Sequence, residues 1–122
     1  MHKSRLGVFV IDCQADDLED ANRFWSAALG CAVGESDDRY AELETPDAEP
    51  KLLLQTVDHP SRIHLDIETD DLEAEVARLE TLGAKRIGDV KRWVVMEAPT
   101  GHRFCVVNPQ RPDFPDGANE WP

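Results

Sequence analysis

The sequence predicts an α+β fold built from two tandem βαβββ modules. Three recurrences carry that prediction. "DDLED" at Asp16–Asp20 returns as "DDLEA" at Asp70–Ala74, 54 positions later. "Leu-Gly" closes a helical pattern at Leu29-Gly30 and again at Leu82-Gly83, 53 positions later. An aromatic opens a strand at Tyr40 and again at Trp93, also 53 positions later. Agreement among several elements in matching order marks an internal duplication rather than one chance match.

Each element follows from local pattern. "RLGVFVIDC", Arg5–Cys13, is a first strand: a short apolar run with no small-residue cleavage site and polar mature start behind it. An Asp of "DDLED" can cap the free N–H groups of the next helix, whose stripe holds Leu18, Ala21, Phe24, Trp25, Ala28 and Leu29. Trp25 therefore reads as core. Gly30 supplies the left-handed residue that ends such a helix. The strands "CAVGES", "RYAEL" and "KLLLQTV" follow, the last after the Pro-containing turn "TPDAEP". "DHPS", Asp58–Ser61, links the halves. The second half repeats the scheme: strand "RIHLDIE", a helix with Leu72, Val76, Leu79 and Leu82 on its stripe, Gly83, then "AKRIGDV", "RWVVME", the turn "APTGH" and the strand "RFCVV". The boundaries are 5–57 for module one and 62–108 for module two. The tail, 109–122, holds four of the eight prolines and no regular pattern. It should wrap the surface or dock on a neighbour.

Composition bounds the function. The 122 residues make one domain long enough for a core without disulfides or a structural metal. Thirteen Lys and Arg against 25 Asp and Glu give a net charge of −12, which repels nucleic acid and anionic lipid and excludes both as partners. A cationic partner or ligand stays open, beside a simple role in solubility. No apolar run approaches the roughly 20 residues of a membrane helix. Cys13, Cys31 and Cys105 are odd in number and form no C-x-x-C pair, so a reducing, cytoplasmic location is expected.

The chemistry-bearing residues lie in "RIHLDIE". Alternation sends Ile63, Leu65 and Ile67 to a core, and His64, Asp66 and Glu68 to the other face. A carboxylate beside an imidazole raises its basicity and can orient it as a base. The alternative is a strand histidine bonded to solvent or backbone. Cys105, within "FCVV", reads as a small buried hydrophobe. No nucleophile elbow, P-loop, dinucleotide fingerprint or H-E-x-x-H is present.

"RFWSAALG" (Arg23–Gly30), "LLLQTV" (Leu52–Val57), "IHLDIETDDLEAEVARLETLGA" (Ile63–Ala84) and "WVVMEAPTGHRFCVV" (Trp93–Val107) together resemble the vicinal oxygen chelate superfamily, in its glyoxalase-like branch of glyoxalase, bleomycin-resistance and dioxygenase type. The resemblance covers the chain except its tail. It implies a single glyoxalase-like domain, 1–122, whose curled mixed sheets form a shared cleft. It also implies a homodimer and, in many members, a divalent metal; the tail, which lies outside the resemblance, is itself expected to dock and bury Phe114 or Trp121. Carried over residue by residue, the metal positions fall near Val8, at Leu53 or Gln55, at His64 and at Cys105. That ligand count implies no metal and no other cofactor here. What remains is a small-molecule-binding protein, expected to be a lyase or isomerase on a small oxygenated metabolite. His64 and Asp66 would be catalytic, and Gln55, Trp93 and Cys105 ligand-binding. Trp93 and Tyr40 either line the cleft or fill the core. The alternative is a non-catalytic, drug-resistance-like protein that sequesters its ligand.

Overall fold

In a computed structural model describing residues 1–122, the local signals hold at both long helices. The first, α1, spans Glu19–Leu29 and ends on Gly30, whose φ of 69° is left-handed and whose N–H donates to Ser26 O. The second, α2, spans Leu72–Thr81, and Gly83 just beyond it has φ 103°. The two "DD" pairs act differently. Asp71 caps α2 by accepting from the Ala74 N–H at 3.0 Å, while Asp70 accepts from the Lys3 N–H instead. At α1 Leu18 holds the cap position and is itself buried, and Asp17 just before it accepts from the Glu19 N–H at 3.0 Å.

Nine strands complete the chain: β1 His2–Gln14, β2 Val33–Ser36, β3 Tyr40–Leu43, β4 Lys51–Val57, β5 Arg62–Thr69, β6 Lys85–Val90, β7 Trp93–Glu97, β8 Arg103–Val107 and β9 Asn119–Trp121. A short helix, α3, spans Phe114–Gly117. The architecture is α+β, with the order β-α-β-β-β occurring twice.

The chain forms two compact units, residues 9–63 and residues 1–8 with 64–122. In the first, the strand order is β2-β3-β4-β1, with β2-β3 and β3-β4 antiparallel. Ile11, Leu18, Ala41, Leu43 and Leu54 form its core, with Ala21 and Trp25 of α1 packed against it. The other members of the expected α1 stripe are not in this core. Phe24 is 61% exposed, and Ala28 and Leu29 are exposed too. Phe24 sits about 100° around the helix from Trp25, so one edge of the stripe faces away from the sheet. The two rings meet edge to face, 5.0 Å between centroids.

In the other unit the order β5-β8-β7-β6 repeats that of β1-β4-β3-β2. The β5-β8 pair is parallel and β6-β7 and β7-β8 are antiparallel, so the sheet is mixed. Helix α2 packs over β6, β7 and β8. Val76, Leu79, Val94, Met96 and Val106 form the core there. Of the three β5 residues expected to face a core, only Ile67 reaches it. Ile63 is 62% exposed and Leu65 is exposed as well, because the helix lies over the strands beyond β5.

The tail docks on its own chain. Strand β9 pairs antiparallel with the start of β1, Trp121 opposite His2 and Asn119 opposite Ser4. Phe114 is buried, and the Trp121 indole N–H donates to Ser4 Oγ at 2.8 Å. Arg111 enters the interior beside Glu68. Gly7 lies against the Glu68 side chain so closely that a Cβ there would stand 3.0 Å from its Cβ and Cγ. A side chain there would require Glu68 to give way by a few tenths of an ångström.

Candidate functional site

Sheet register assembles the site. His64 and Asp66 are two apart on β5 and so share a face. In the parallel β5-β8 pair Asp66 lies opposite Cys105. Cys105 in turn lies opposite Val95 on β7, which puts Trp93 on the same face. The opposite face carries Val94, Met96 and Val106 into the core, so these half-buried residues are the face left open by α2.

His64 Nε2 stands 3.3 Å from Asp66 Oδ1, with the two side chains 15% and 13% exposed. The approach is an ion-pair distance, yet Asp66 Oδ1 accepts no hydrogen bond, so the direction of the contact is poor. One donor atom each from His64, Asp66 and Cys105 all lie within 4.8 Å of one another. The sequence offered His64 and Asp66 as a pair by their spacing. That Cys105 joins them depends on the β5-β8 register, which no local pattern encodes.

Glu68 departs from its expected role. Alternation puts it on the same face as His64 and Asp66, but it is fully buried and carries a different set of contacts. It accepts from Arg5 Nε at 2.7 Å, Arg111 Nε at 3.0 Å and the Gln110 N–H at 2.6 Å. Arg5 also donates to Asp113 at 2.7 Å. The tail thereby closes the Glu68 end of the face. The other end is open, where Arg103 donates to Glu97 at 3.1 Å.

Gln55 belongs to the 9–63 unit, opposite Tyr40 in the β3-β4 pair. There it helps line an open cavity of about 870 Å³ with Gln14, Asp16, Arg39, Asp58 and His59. Sequence reading missed Arg39 and His59, which carry no motif; His59 stands in the linker "DHPS". Burial and then the charge of Asp12 push the pKa of Cys13 up, and its S–H donates to Ile11 O.

The comparisons with known proteins follow the fold. A family model for the glyoxalase-like domain matches residues 8–107. The chain belongs to this glyoxalase-like domain family. Among solved structures, a hypothetical protein from Bacillus halodurans matches with TM-score 0.65 and 18% identity, over 88% of this chain and 96% of that one. A methylmalonyl-CoA epimerase from Streptomyces coelicolor, in complex with 2-nitronate-propionyl-CoA, matches with TM-score 0.63 and 20% identity, over 86% and 96%. Homoprotocatechuate 2,3-dioxygenase from B. fuscum matches with TM-score 0.61 and 17% identity over 97% of this chain, which spans 34% of that enzyme. At these identities the likeness is one of fold. No curated protein matches the chain.

The four-position metal centre implied by family resemblance does not fit this glyoxalase-like chain. Val8 is buried and apolar and offers no donor, and the alternative Leu53 offers none either.

Proposed function

We propose that this glyoxalase-like protein binds a small oxygenated metabolite on the His64 face and moves a proton on it, as a lyase or isomerase. One observation carries the reading: His64 and Asp66, both largely buried, stand 3.3 Å apart on the face left open by α2. His64 is the general base. Asp66, at ion-pair distance, stabilises its protonated form. Trp93 offers an aromatic wall on the same face, and Cys105 a polarisable neighbour. The reading does not use the four-ligand metal centre. An epimerase among the neighbours of this fold agrees with proton transfer as the reaction type.

The test is a thermal-shift screen of small hydroxy, keto and carboxylic acids on metal-free protein, with product analysis on every hit. In His64→Ala, turnover is expected to fall about a hundredfold or more. Affinity should change much less. Undiminished turnover in that variant would remove His64 from the mechanism.

Sequestration without chemistry is the second reading, favoured by the net charge of −12, which draws a cationic ligand. Glu68 cannot serve it, being consumed by Arg5 and Arg111, so Asp66 is the carboxylate that β5 leaves on that face. In that case affinity falls with added salt and with Asp66→Asn, and no product forms.

The protein is also proposed to act as a homodimer. The exposed Phe24 and Leu29 on α1, and Ile63 and Leu65 on β5, support an apolar contact between copies. Light scattering should give twice the chain mass, and Phe24→Ser should shift the population toward monomer. A parent chain that stays monomeric at high concentration removes this part of the reading.

A further inference from the structure

We infer that Arg103 anchors a carboxylate of the substrate, so that the metabolite turned over under the proton-transfer reading above is a short carboxylic acid. Arg103 opens β8 two residues before Cys105, and so shares the face that carries Cys105. The parallel ladder sets Asp66 beside Cys105. Two residues back along both strands stand His64 and Arg103, on strands about 4.8 Å apart. The guanidinium therefore belongs to the same corner of the face as the base. It is 43% exposed, and its one ion pair runs through Nε, 3.1 Å from Glu97 Oε1. A guanidinium carries five N–H donors in a planar fork. With Nε engaged by Glu97, the two terminal nitrogens remain to receive a ligand.

Charge sets this corner apart. Lys85 on β6 lies directly opposite Glu97, and Glu97 directly opposite Arg103. Opposed residues of an antiparallel pair project to the same side, so all three line one end of the face. Two cations against one carboxylate leave a net positive charge there, on a chain whose net charge is −12. An anion repelled by the rest of the surface is drawn to that end. The cations at the other end, Arg5 and Arg111, are already engaged by Glu68. Geometry then selects the kind of anion. An arginine fork matches a carboxylate through two parallel N–H···O bonds. A carboxylate held on Arg103 brings the adjoining carbons toward His64, with Trp93 as an apolar wall for the chain. A keto acid fits best: the keto group gives the neighbouring C–H its acidity, and the carboxylate gives Arg103 its hold.

The experiment titrates the full chain with butyrate, α-ketobutyrate and their uncharged amides, by calorimetry and ligand-detected NMR. Both acids are expected to bind, and the amides about tenfold more weakly or worse. Acid affinity should fall with added salt. Arg103→Gln should lose about tenfold in acid affinity and leave the amides unaffected. Arg103→Lys should recover part of the loss, because an ammonium lacks the fork. Glu97→Gln should move acid affinity the other way, up by about threefold, because the competing charge is gone. A purely structural role for the Arg103–Glu97 pair predicts the same sign for both variants and no distinction between acid and amide. Urea midpoints of these variants should stay near the parent's, since the pair is partly exposed. No binding of either acid, acids and amides binding alike, displacement of the acid by an equal concentration of inorganic phosphate, or unchanged acid affinity in Arg103→Gln would overturn the anchor. Acid binding that depends on Arg103, retained in His64→Ala and never followed by turnover, keeps the anchor and removes the proton transfer. Turnover that requires His64 while KM ignores Arg103 removes the anchor and keeps the proton transfer.

Discussion

Removal of Arg111–Pro122 is expected to cost the unit formed by residues 1–8 and 64–122 most of its stability. Arg111 is buried, donating to Glu68 at 3.0 Å and to Leu6 O at 2.7 Å. Without it Glu68, which is 0% exposed, keeps Arg5 as its one cationic partner. Breaking a buried ion pair from one side costs about 3–5 kcal/mol. Phe114 is 3% exposed, and loss of a buried Phe side chain costs a further 3–5 kcal/mol or about that. The β9 ladder to β1 is lost as well. Domains of this size hold about 5–15 kcal/mol in total, so the truncated chain should unfold at far lower urea or not fold. Arg111→Ala alone should lose about 3 kcal/mol, and Arg111→Lys should recover only part, since a point ammonium cannot reach both Glu68 and Leu6 O. An unchanged urea midpoint after truncation would show that the tail contributes nothing.

Glu75 should make the molecule acid-labile. It is fully buried on α2 and accepts from Arg78 Nε and Nη2, each at 2.8 Å, and lies 2.8 Å from His2 Nε2. Burial pushes its carboxyl pKa up, but the hydrogen bonds from Arg78, His2 and Ser4 together outweigh it and hold the group below the usual range. A carboxyl whose folded pKa lies below its unfolded value stabilises fully above the unfolded value, about 4.3 for Glu. That contribution is lost as pH falls from there through the folded pKa. Stability from this group is therefore level near neutrality and declines below about pH 4–5. Glu75→Gln keeps the shape but removes the charge. It should lose about 2–4 kcal/mol at pH 7 and show a shallower acid limb in urea midpoints taken across pH. A variant that tracks the parent in parallel at every pH would remove Glu75 as the source.

Much of this fold can be read locally. Helix α2 obeys its stripe at Leu72, Val76 and Leu79, which are spaced for one face, and Asp71 caps it, while the fourth stripe residue, Leu82, falls beyond the helix end and is 65% exposed. Gly30 and Gly83 end their helices because left-handed backbone suits glycine. The candidate pair His64 and Asp66 was visible for the same reason: a strand alternates with period two whatever surrounds it.

The sequence by itself determined the β-α-β-β-β order, the helix ends and the face shared by His64 and Asp66, because each depends on neighbours within a turn or a strand. Tertiary structure alone decided which apolar faces are covered. Phe24, Ile63 and Leu65 carry an inward pattern and lie exposed, because the width and placement of the packed partner, not periodicity, sets how much of a stripe is buried. It alone turned Glu68 from a surface carboxylate into the buried partner of Arg5 and Arg111, since the charge that neutralises it arrives from the tail, 43 residues further along. And it alone brought Cys105 to His64 and Asp66. The register of a parallel strand pair is fixed by a crossover containing a whole helix and two strands, and no short stretch of residues specifies it.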